Sequence, residues 1–379
     1  MATSFPDYGI GAGSCYLVAA TSSGAVDTVK WNPGFYWAVL HNSDHSITSY
    51  STVLTEMNTY SALRGMLMRI SWPQLEPTKG NYNFSAIDTV LTAMKNLANG
   101  PKQLAVIFEL KSNKSGGLTP DRIVPSYVQT AEYNGGDLLW GSVNTPNVSG
   151  YEIRLWEPKV IERLKLLSDQ FKTRYNDDVN FEMLQFTESA VSPVKSGQTY
   201  TTNYPAPPSN YDTIYINGLK EWVLYTNQVM TKTQVMQLCN YPRGEIATYI
   251  PALRDAGVGI SCPNSLADEP GLWTASSPIG IWPWLRRTDA AKVQGVVAIG
   301  PSIQIPECYY SNNSFDDATG LDGLGKKPGQ DATPPYGANG AREIISLLKS
   351  VNSNYAFITR APLQTGNAAT NNPDGIIYT

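Results

Sequence analysis

The side chains that most often ligate metals or act as nucleophilic bases are few and scattered in this chain. It has two histidines, His41 and His45, and four cysteines, Cys15, Cys239, Cys262 and Cys308. They form no CxxC pair, no HExxH and no mixed Cys/His cluster, so their spacing offers no structural zinc site. A nucleophile triad would have to take His41 or His45 as its base. Asp316, Asp317, Asp322 and Asp331 lie in a Gly-rich stretch, but their spacing fails the twelve-residue calcium loop. No metal and no cofactor is expected. Glu188 follows VNFEMLQFT, Glu307 follows VVAIGPSIQIP, and Glu269 stands in NSLADEPG. A carboxyl group in apolar surroundings keeps its proton toward neutral pH, because burial disfavours the charged form, and it can then donate that proton. The competing reading of Glu188 is a strand-end carboxylate held in an ion pair.

Other polar residues share strands with these runs. Arg69 lies two residues before Ser71 in RGMLMRISW, so period-two alternation points both the same way. Glu109 and Lys111 end QLAVIFELK and also share a side; they read as a substrate-facing pair, a third carboxylate site or a rim salt bridge. An ion pair between Arg69 and Glu109 is the structural alternative. Cys239 and Cys262 fall in apolar runs read as neighbouring strands, and buried free thiols are expected there, with a disulfide between them as the alternative.

The elements that must position these residues alternate along the chain. Strands are expected at 34–40, 64–72, 103–111, 179–189, 233–240, 258–264, 293–300 with a continuation through SIQI at 302–305, and 354–360. The spacing predicts helices from Ser85, from Pro158 with Val160, Ile161, Leu164, Leu167 and Phe171 on one face, over YDTIYINGLKEWVLYTNQVM, over EIATYIPALRDAG ending at Gly257, and over AREIISLLKSV. Near-continuous apolar strands suit parallel pairing covered on both faces. Eight of them predict one (β/α)8 barrel spanning 1–379, with insertions near 112–155, 190–209 and 301–339 at the active end. The alternative is an open doubly wound sheet, against which stands the absence of a GxGxxG after the first strand; GIGAG at 9–13 precedes it.

Composition narrows the partners. The 379 residues are 42% hydrophobic and 16% charged, which is enough apolar material for a large core. Lys plus Arg is 28 and Asp plus Glu is 32, giving a net charge of −4 and no basic tail to neutralise phosphates, so nucleic acid is not an expected partner. The first residues carry no Lys or Arg before a short, interrupted apolar stretch, so neither a standard signal peptide nor a membrane span is expected. Location outside a cell or on a virion would need a non-classical route, and a cytoplasmic place is the alternative.

The segment SWPQLEPTKGNYNFSAID resembles the W-x-x-x-E-P-x-x-G-x-Y-x-F-x-x-x-D stretch after the second barrel strand of many clan A glycoside hydrolases, the β-galactosidase and cellulase-like families among them. Trp72, Glu76, Pro77, Gly80, Tyr82, Phe84 and Asp88 carry it. The resemblance implies a TIM barrel that hydrolyses β-linked polysaccharides or oligosaccharides with two carboxyl groups. It places the general acid/base at the end of the fourth strand, on Glu188, and a nucleophile at the end of the seventh, on Glu307, with Glu269 as the alternative. Thr187 stands where the family has Asn. The resemblance further implies that Arg69 keeps the nucleophile ionised, and that His41, Asn42, Thr187 and Asn240 stand at the family's sugar-contact positions; Glu109, by its facing, and Trp72, Trp282 and Trp284, whose rings could pack on sugar C–H faces, are the other candidates around the sugar. The Trp that usually follows the eighth strand is missing, since Thr359 and Arg360 stand there. A catalytically inactive carbohydrate-binding or structural barrel is the second reading, and the assembly is monomer or homo-oligomer.

Overall fold

In the computed structural model the chain is described at residues 18–20, 26–39, 50–112, 122–141, 148–187, 189–193, 200–202, 205–240, 245–263, 272, 280–303 and 347–359. Eight parallel strands form the centre: β1 Gly34–Val39, β2 Leu63–Ile70, β3 Gln103–Phe108, β4 Phe181–Phe186, β5 Gln234–Leu238, β6 Gly259–Ser261, β7 Ser302–Ile303 and β8 Tyr355–Thr359. Each pairs in parallel with its neighbour in the order β6, β5, β4, β3, β2, β1, β8, β7. The two ends of that row meet. Ile260 bridges Ile299 in parallel, Ile260 N–H donates to the Ala298 carbonyl at 2.8 Å, and Ser302 N–H donates to the Cys262 carbonyl at 2.8 Å. These bonds close the sheet into a barrel and set aside the open doubly wound alternative.

Five longer helices cover the outside: α1 Ser51–Thr59, α2 Ser85–Lys95, α3 Pro158–Tyr175, α4 Tyr211–Val229 and α5 Ile246–Asp255. The short α6, Ile281–Leu285, and helical residues 347–350 follow β6 and precede β8. Pro158 occupies the first turn of α3, where a missing N–H costs nothing, and Gly257 ends α5's connection with φ +79°. Among the described residues no helix is long and apolar enough to cross a membrane.

Alternation along the strands divides the core into two layers. Tyr36, Ala38, Leu67, Ala105, Ile107, Met183, Met236, Leu238, Tyr355 and Phe357 cluster inside the barrel, while Trp37, Met68, Val106, Phe108 and Phe186 pack outward against helix residues such as Val90, Leu164 and Trp222. The N-terminal end of the barrel is plugged by polar groups. The buried Glu182 carboxylate accepts from Asn32 N–H at 2.8 Å, the Asn32 amide at 2.8 Å and the Tyr355 hydroxyl at 2.6 Å. Lys30 directs its three ammonium protons to the carbonyls of Tyr175, Asn176 and Asp178 at 3.1, 3.2 and 2.9 Å, so it caps the C-terminus of α3.

Three sequence expectations change. The seventh strand is Ser302–Ile303, the stretch expected only as a continuation, whereas 293–300 is broken by a turn at 294–296 around Gly295 at φ +71° and contributes a single bridge at Ile299. Within 112–155, read from sequence as loop, lies an antiparallel hairpin of Asp137–Gly141 with Val148–Ile153. Helix α1 has no sequence counterpart; it lacks a side-chain cap and an acidic first turn, and burial of Val53 and Met57 holds it to the barrel.

Candidate active site

The C-terminal ends of the strands are where a (β/α)8 barrel presents its chemistry, because loops there vary over a rigid frame. Arg69, on β2, is in register with Ile107, and Ile107 belongs to the interior cluster, so Arg69 points into the barrel as alternation predicts. Its Nε lies 2.6 Å from Glu109 Oε1, and each side chain is about one-fifth exposed, at 21% and 22%. Burial raises the Glu109 carboxyl above the usual carboxylate range, and the Arg69 charge opposes that rise. Lys111 does not pair with Glu109. It crosses to the buried Glu152 of the hairpin, 3.5 Å away, and its ammonium sits 5.0 Å from the Trp140 ring centre.

Two neutral groups that the sequence reading passed over also face inward. Gln185 is in register with Ile107 on one side and Met236 on the other, and Ser261 is in register with Leu238. Both are fully buried, and among the described residues neither the Gln185 carboxamide nor the Ser261 hydroxyl has a hydrogen-bond partner. Buried polar groups are almost always satisfied, so these donors and acceptors fit a polar occupant of the mouth or bound water. The signal was present in the sequence as two polar residues at inward positions of otherwise apolar strands.

The chain on either side of position 188 is held by buried hydrogen bonds. Before it, the Thr187 hydroxyl accepts from Leu110 N–H at 2.9 Å and donates to the Phe108 carbonyl at 3.3 Å, and Thr187 N–H donates to the same carbonyl at 3.1 Å. This corrects Thr187 as a sugar contact, because its hydroxyl is committed to stitching the ends of β3 and β4. We expect Thr187→Val to leave the Leu110 N–H unsatisfied and to lower stability by about 1–3 kcal/mol in urea denaturation. After it, the Asn240 carboxamide oxygen accepts from the N–H groups of Ser189 at 3.0 Å and Ala190 at 3.1 Å. Further along, the Glu152 carboxylate accepts from Ser192 N–H at 3.3 Å, and Gly141 N–H donates to the Ser192 carbonyl at 2.9 Å. The hairpin therefore holds residues 192–193, which follow the pair fixed by Asn240.

The residues that carry the family resemblance form a structural clasp. Trp72 is fully buried and donates its indole N–H to Glu76 at 3.0 Å, so it does not stand at the rim as a sugar platform. The other Glu76 oxygen accepts from Gly80 N–H at 2.8 Å and from the Arg163 guanidinium on α3. Gly80 has φ +77°, which a side-chain-bearing residue adopts only under strain, so the turn after Pro77 is as the sequence implies. Trp282 and Trp284, on α6, are 0% and 5% exposed and belong to the layer between barrel and helices. The apolar faces of the IWPW run are spent on packing, which removes both as stacking surfaces. Cys239 and Cys262 are buried and are not joined in a disulfide.

His41, Asn42, Glu188, Glu269 and Glu307 lie outside the described residues. Among the described residues no group of His, Cys, Asp and Glu could hold a metal ion.

No protein-family model matches this chain, and no curated protein matches it. Solved structures do share its fold. The catalytic domain of a β-amylase from Paenibacillus polymyxa superposes with a TM-score of 0.56 at 8% identity, covering 87% of this chain and 93% of that one. A β-galactosidase from the haloarchaeon Halorubrum lacusprofundi superposes with a TM-score of 0.52 at 10% identity, covering 86% of this chain and 52% of that one, so this chain spans about half its length. The chain thus shares the (β/α)8 barrel fold of these two proteins.

Proposed function

We propose that the chain is an O-glycoside hydrolase acting on a β-linked polysaccharide or oligosaccharide, with Glu188 as general acid/base and Glu307 as nucleophile. The observation that carries this reading is the end of β4. Thr187 and Ser189 are both fixed by buried hydrogen bonds at the C-terminal end of the strand, the end where the fold does chemistry, and Glu188 stands between them in sequence. The inward Arg69 and the unpartnered Gln185 and Ser261 support a polar, hydroxyl-bearing substrate in the same mouth.

In the first step Glu307 attacks the anomeric carbon while the bond to the glycosidic oxygen breaks, and Glu188 gives that oxygen its proton. In the second, Glu188 takes a proton from water, whose oxygen displaces the Glu307 carboxylate from the same carbon. This retaining route goes with carboxyl groups about 5–5.5 Å apart, and roughly 6.5–9.5 Å goes with inversion. Arg69 would keep Glu307 ionised, since a nearby positive charge lowers a carboxyl pKa.

One observation favours the second reading, a barrel that binds carbohydrate without cleaving it: the residue at the family's Asn position, Thr187, has its hydroxyl occupied by backbone. The two readings separate by incubating the protein with 2-deoxy-2-fluoro aryl β-glycosides and mapping the adduct by mass spectrometry. Label on Glu307 is expected. Label on Glu269 moves the nucleophile to that residue, and glycan binding with neither label nor turnover supports the inactive barrel.

A further inference from the structure

On the outside of the barrel the first turns of α3 and α4 stand apart. A cavity of about 430 Å³ lies between them, with the buried Leu155, Ile161 and Gly218 at its floor and Trp156, Pro158 and Ile214 at its edges. That volume falls in the range of small-ligand sites, about 300–1,000 Å³. Gly218 fixes how closely α4 approaches the chain before α3, because a Cβ there would fall 1.6 Å from the Leu155 carbonyl oxygen. Further along, Lys165 Nζ donates to Glu221 Oε1 at 2.6 Å and the Tyr225 hydroxyl donates to Asp169 at 2.9 Å, so the two helices are tied there. Both helices start on the side of the C-terminal strand ends, and the groove therefore opens toward the mouth side of the barrel. The indoles of Trp72, Trp140 and Trp222 donate to acceptors within the protein, at 3.0, 2.7 and 3.0 Å. Trp156 differs: it is half-buried, and among the described residues its indole N–H has no acceptor. The fully buried Arg154 guanidinium lies 5.8 Å from its ring centre, so protein covers one side of the ring while the groove takes the rest. The exposed Glu162 carboxylate makes no ion pair among the described residues, and the Asn217 carboxamide oxygen takes only the Lys220 ammonium, at 3.1 Å.

We propose that this groove is a carbohydrate site separate from the barrel mouth, holding a segment of a neutral β-linked glycan against Trp156. The choice of a glycan rests on the glycosidase reading, which supplies a polymer for both places. A pyranose offers an apolar C–H face bordered by hydroxyls, and the groove offers one ring bordered by an indole donor, a carboxylate and a carboxamide. Glu162 and Glu221 against Lys165 leave one net negative charge, which disfavours a uronate, sulfate or phosphate ligand. The apolar surface is that ring with Pro158, Ile161 and Ile214 beside it, and the charged groups interrupt it. It therefore lacks the continuous stripe that an amphipathic helix of a protein partner would need.

The experiment measures migration in native gels containing soluble β-glucan, xylan, mannan or galactan for wild type, Trp156→Ala, Trp156→Phe and the double variant Glu162→Ala, Asn217→Ala, with thermal unfolding alongside. Wild type is expected to be retarded by at least one polymer. Trp156→Ala should weaken that affinity about tenfold or more, Trp156→Phe less, and the double variant about threefold to tenfold. Glu162 and Asn217 are exposed, so the double variant should unfold near the wild-type midpoint and carries the test if Trp156→Ala fails to fold. Hydrogen exchange with an oligosaccharide of the retarding polymer should show protection at 155–165 and 214–221, and protection confined to the strand ends overturns the inference. Wild-type affinity in all three variants, or no retardation in any gel, also overturns it, while turnover of aryl β-glycosides would still support the glycosidase reading. Retardation lost in Trp156→Ala by a protein that cleaves no glycoside sustains the groove and removes that reading. A wild-type dimer that Trp156→Ala dissolves, with glycan affinity unchanged, makes the groove an interface between copies and overturns the inference.

Discussion

Glu188→Gln is expected to lower turnover of a phenyl β-glycoside by about two to four orders of magnitude while the urea-unfolding midpoint stays close to that of wild type. The amide keeps the size and shape of the acid but has no proton to transfer. A phenolate leaving group, with a conjugate-acid pKa of about 10, needs that proton as the glycosidic bond breaks. An aryl group bearing two nitro substituents carries its own negative charge more easily, so the same variant should lose far less on it in the first step. Release of the glycosyl-enzyme still needs a base, so the intermediate should accumulate with the good leaving group and give a burst of product. Near wild-type turnover on both substrates would remove Glu188 from the role. Stability has little reason to fall, because the bonds that hold this stretch run through Thr187, Ser189 and Ala190, and none of those is altered.

What the sequence made legible was the framework. Eight apolar runs stand between polar or glycine-rich breaks, and a parallel strand covered on both faces must read as such a run, so all eight strands were visible in order. The misreading at the seventh has a physical cause. Val293, Val297 and Ile299 are buried, yet a turn at 294–296 interrupts the run and only Ile299 bridges the barrel, and buried irregular chain is as apolar as a buried strand. Helix α1 was hidden for the opposite reason. STVLTEMNT has three Thr and a Val, residues of modest helix propensity, and Thr55 and Thr59 bond back to the carbonyls four residues earlier at 3.0 Å each. Its stability comes from what Val53 and Met57 pack against, which local pattern does not encode.

The site was legible where it depends on alternation and obscure where it depends on contacts between distant segments. Period-two facing put Arg69 inside the barrel, and its pairing with Glu109 was the structural alternative weighed from sequence. Facing says nothing about partners, so Lys111 was grouped with Glu109 although a carboxylate from the hairpin, forty-one positions on, takes it. Aromatic residues near strand ends look alike in sequence whether they stack on a sugar or fill the wall. Burial alone separates Trp282 and Trp284 from a platform, and burial is a property of the assembled layers. Asn240 was noted as a sugar contact because it follows β5; the bonds of its carboxamide oxygen to the backbone after β4 could not be read from sequence, since the two strand ends are brought together only by parallel pairing.

The largest stability loss is expected at the clasp built on Glu76. Its carboxylate is 0% exposed and has three donors: the Trp72 indole, the Gly80 amide and the Arg163 guanidinium, whose own side chain is 12% exposed. Arg163 also reaches the hydroxyls of Tyr82 at 3.3 Å and Tyr127 at 3.2 Å, so one planar fork ties the loop after β2 and the segment before the hairpin to α3. Arg163→Met keeps much of the packing volume but leaves a buried carboxylate without its counter-charge, which should cost about 3–5 kcal/mol in urea or thermal unfolding. Arg163→Lys restores the charge but not the fork, so it should recover only part of that loss. The double variant Glu76→Gln, Arg163→Met should be more stable than Arg163→Met alone, because the stranded charge is gone. If the single and double variants unfold at the same denaturant concentration, the ion pair contributes nothing beyond its packing, and Trp72, Glu76 and Gly80 are then held together by the indole and amide hydrogen bonds alone.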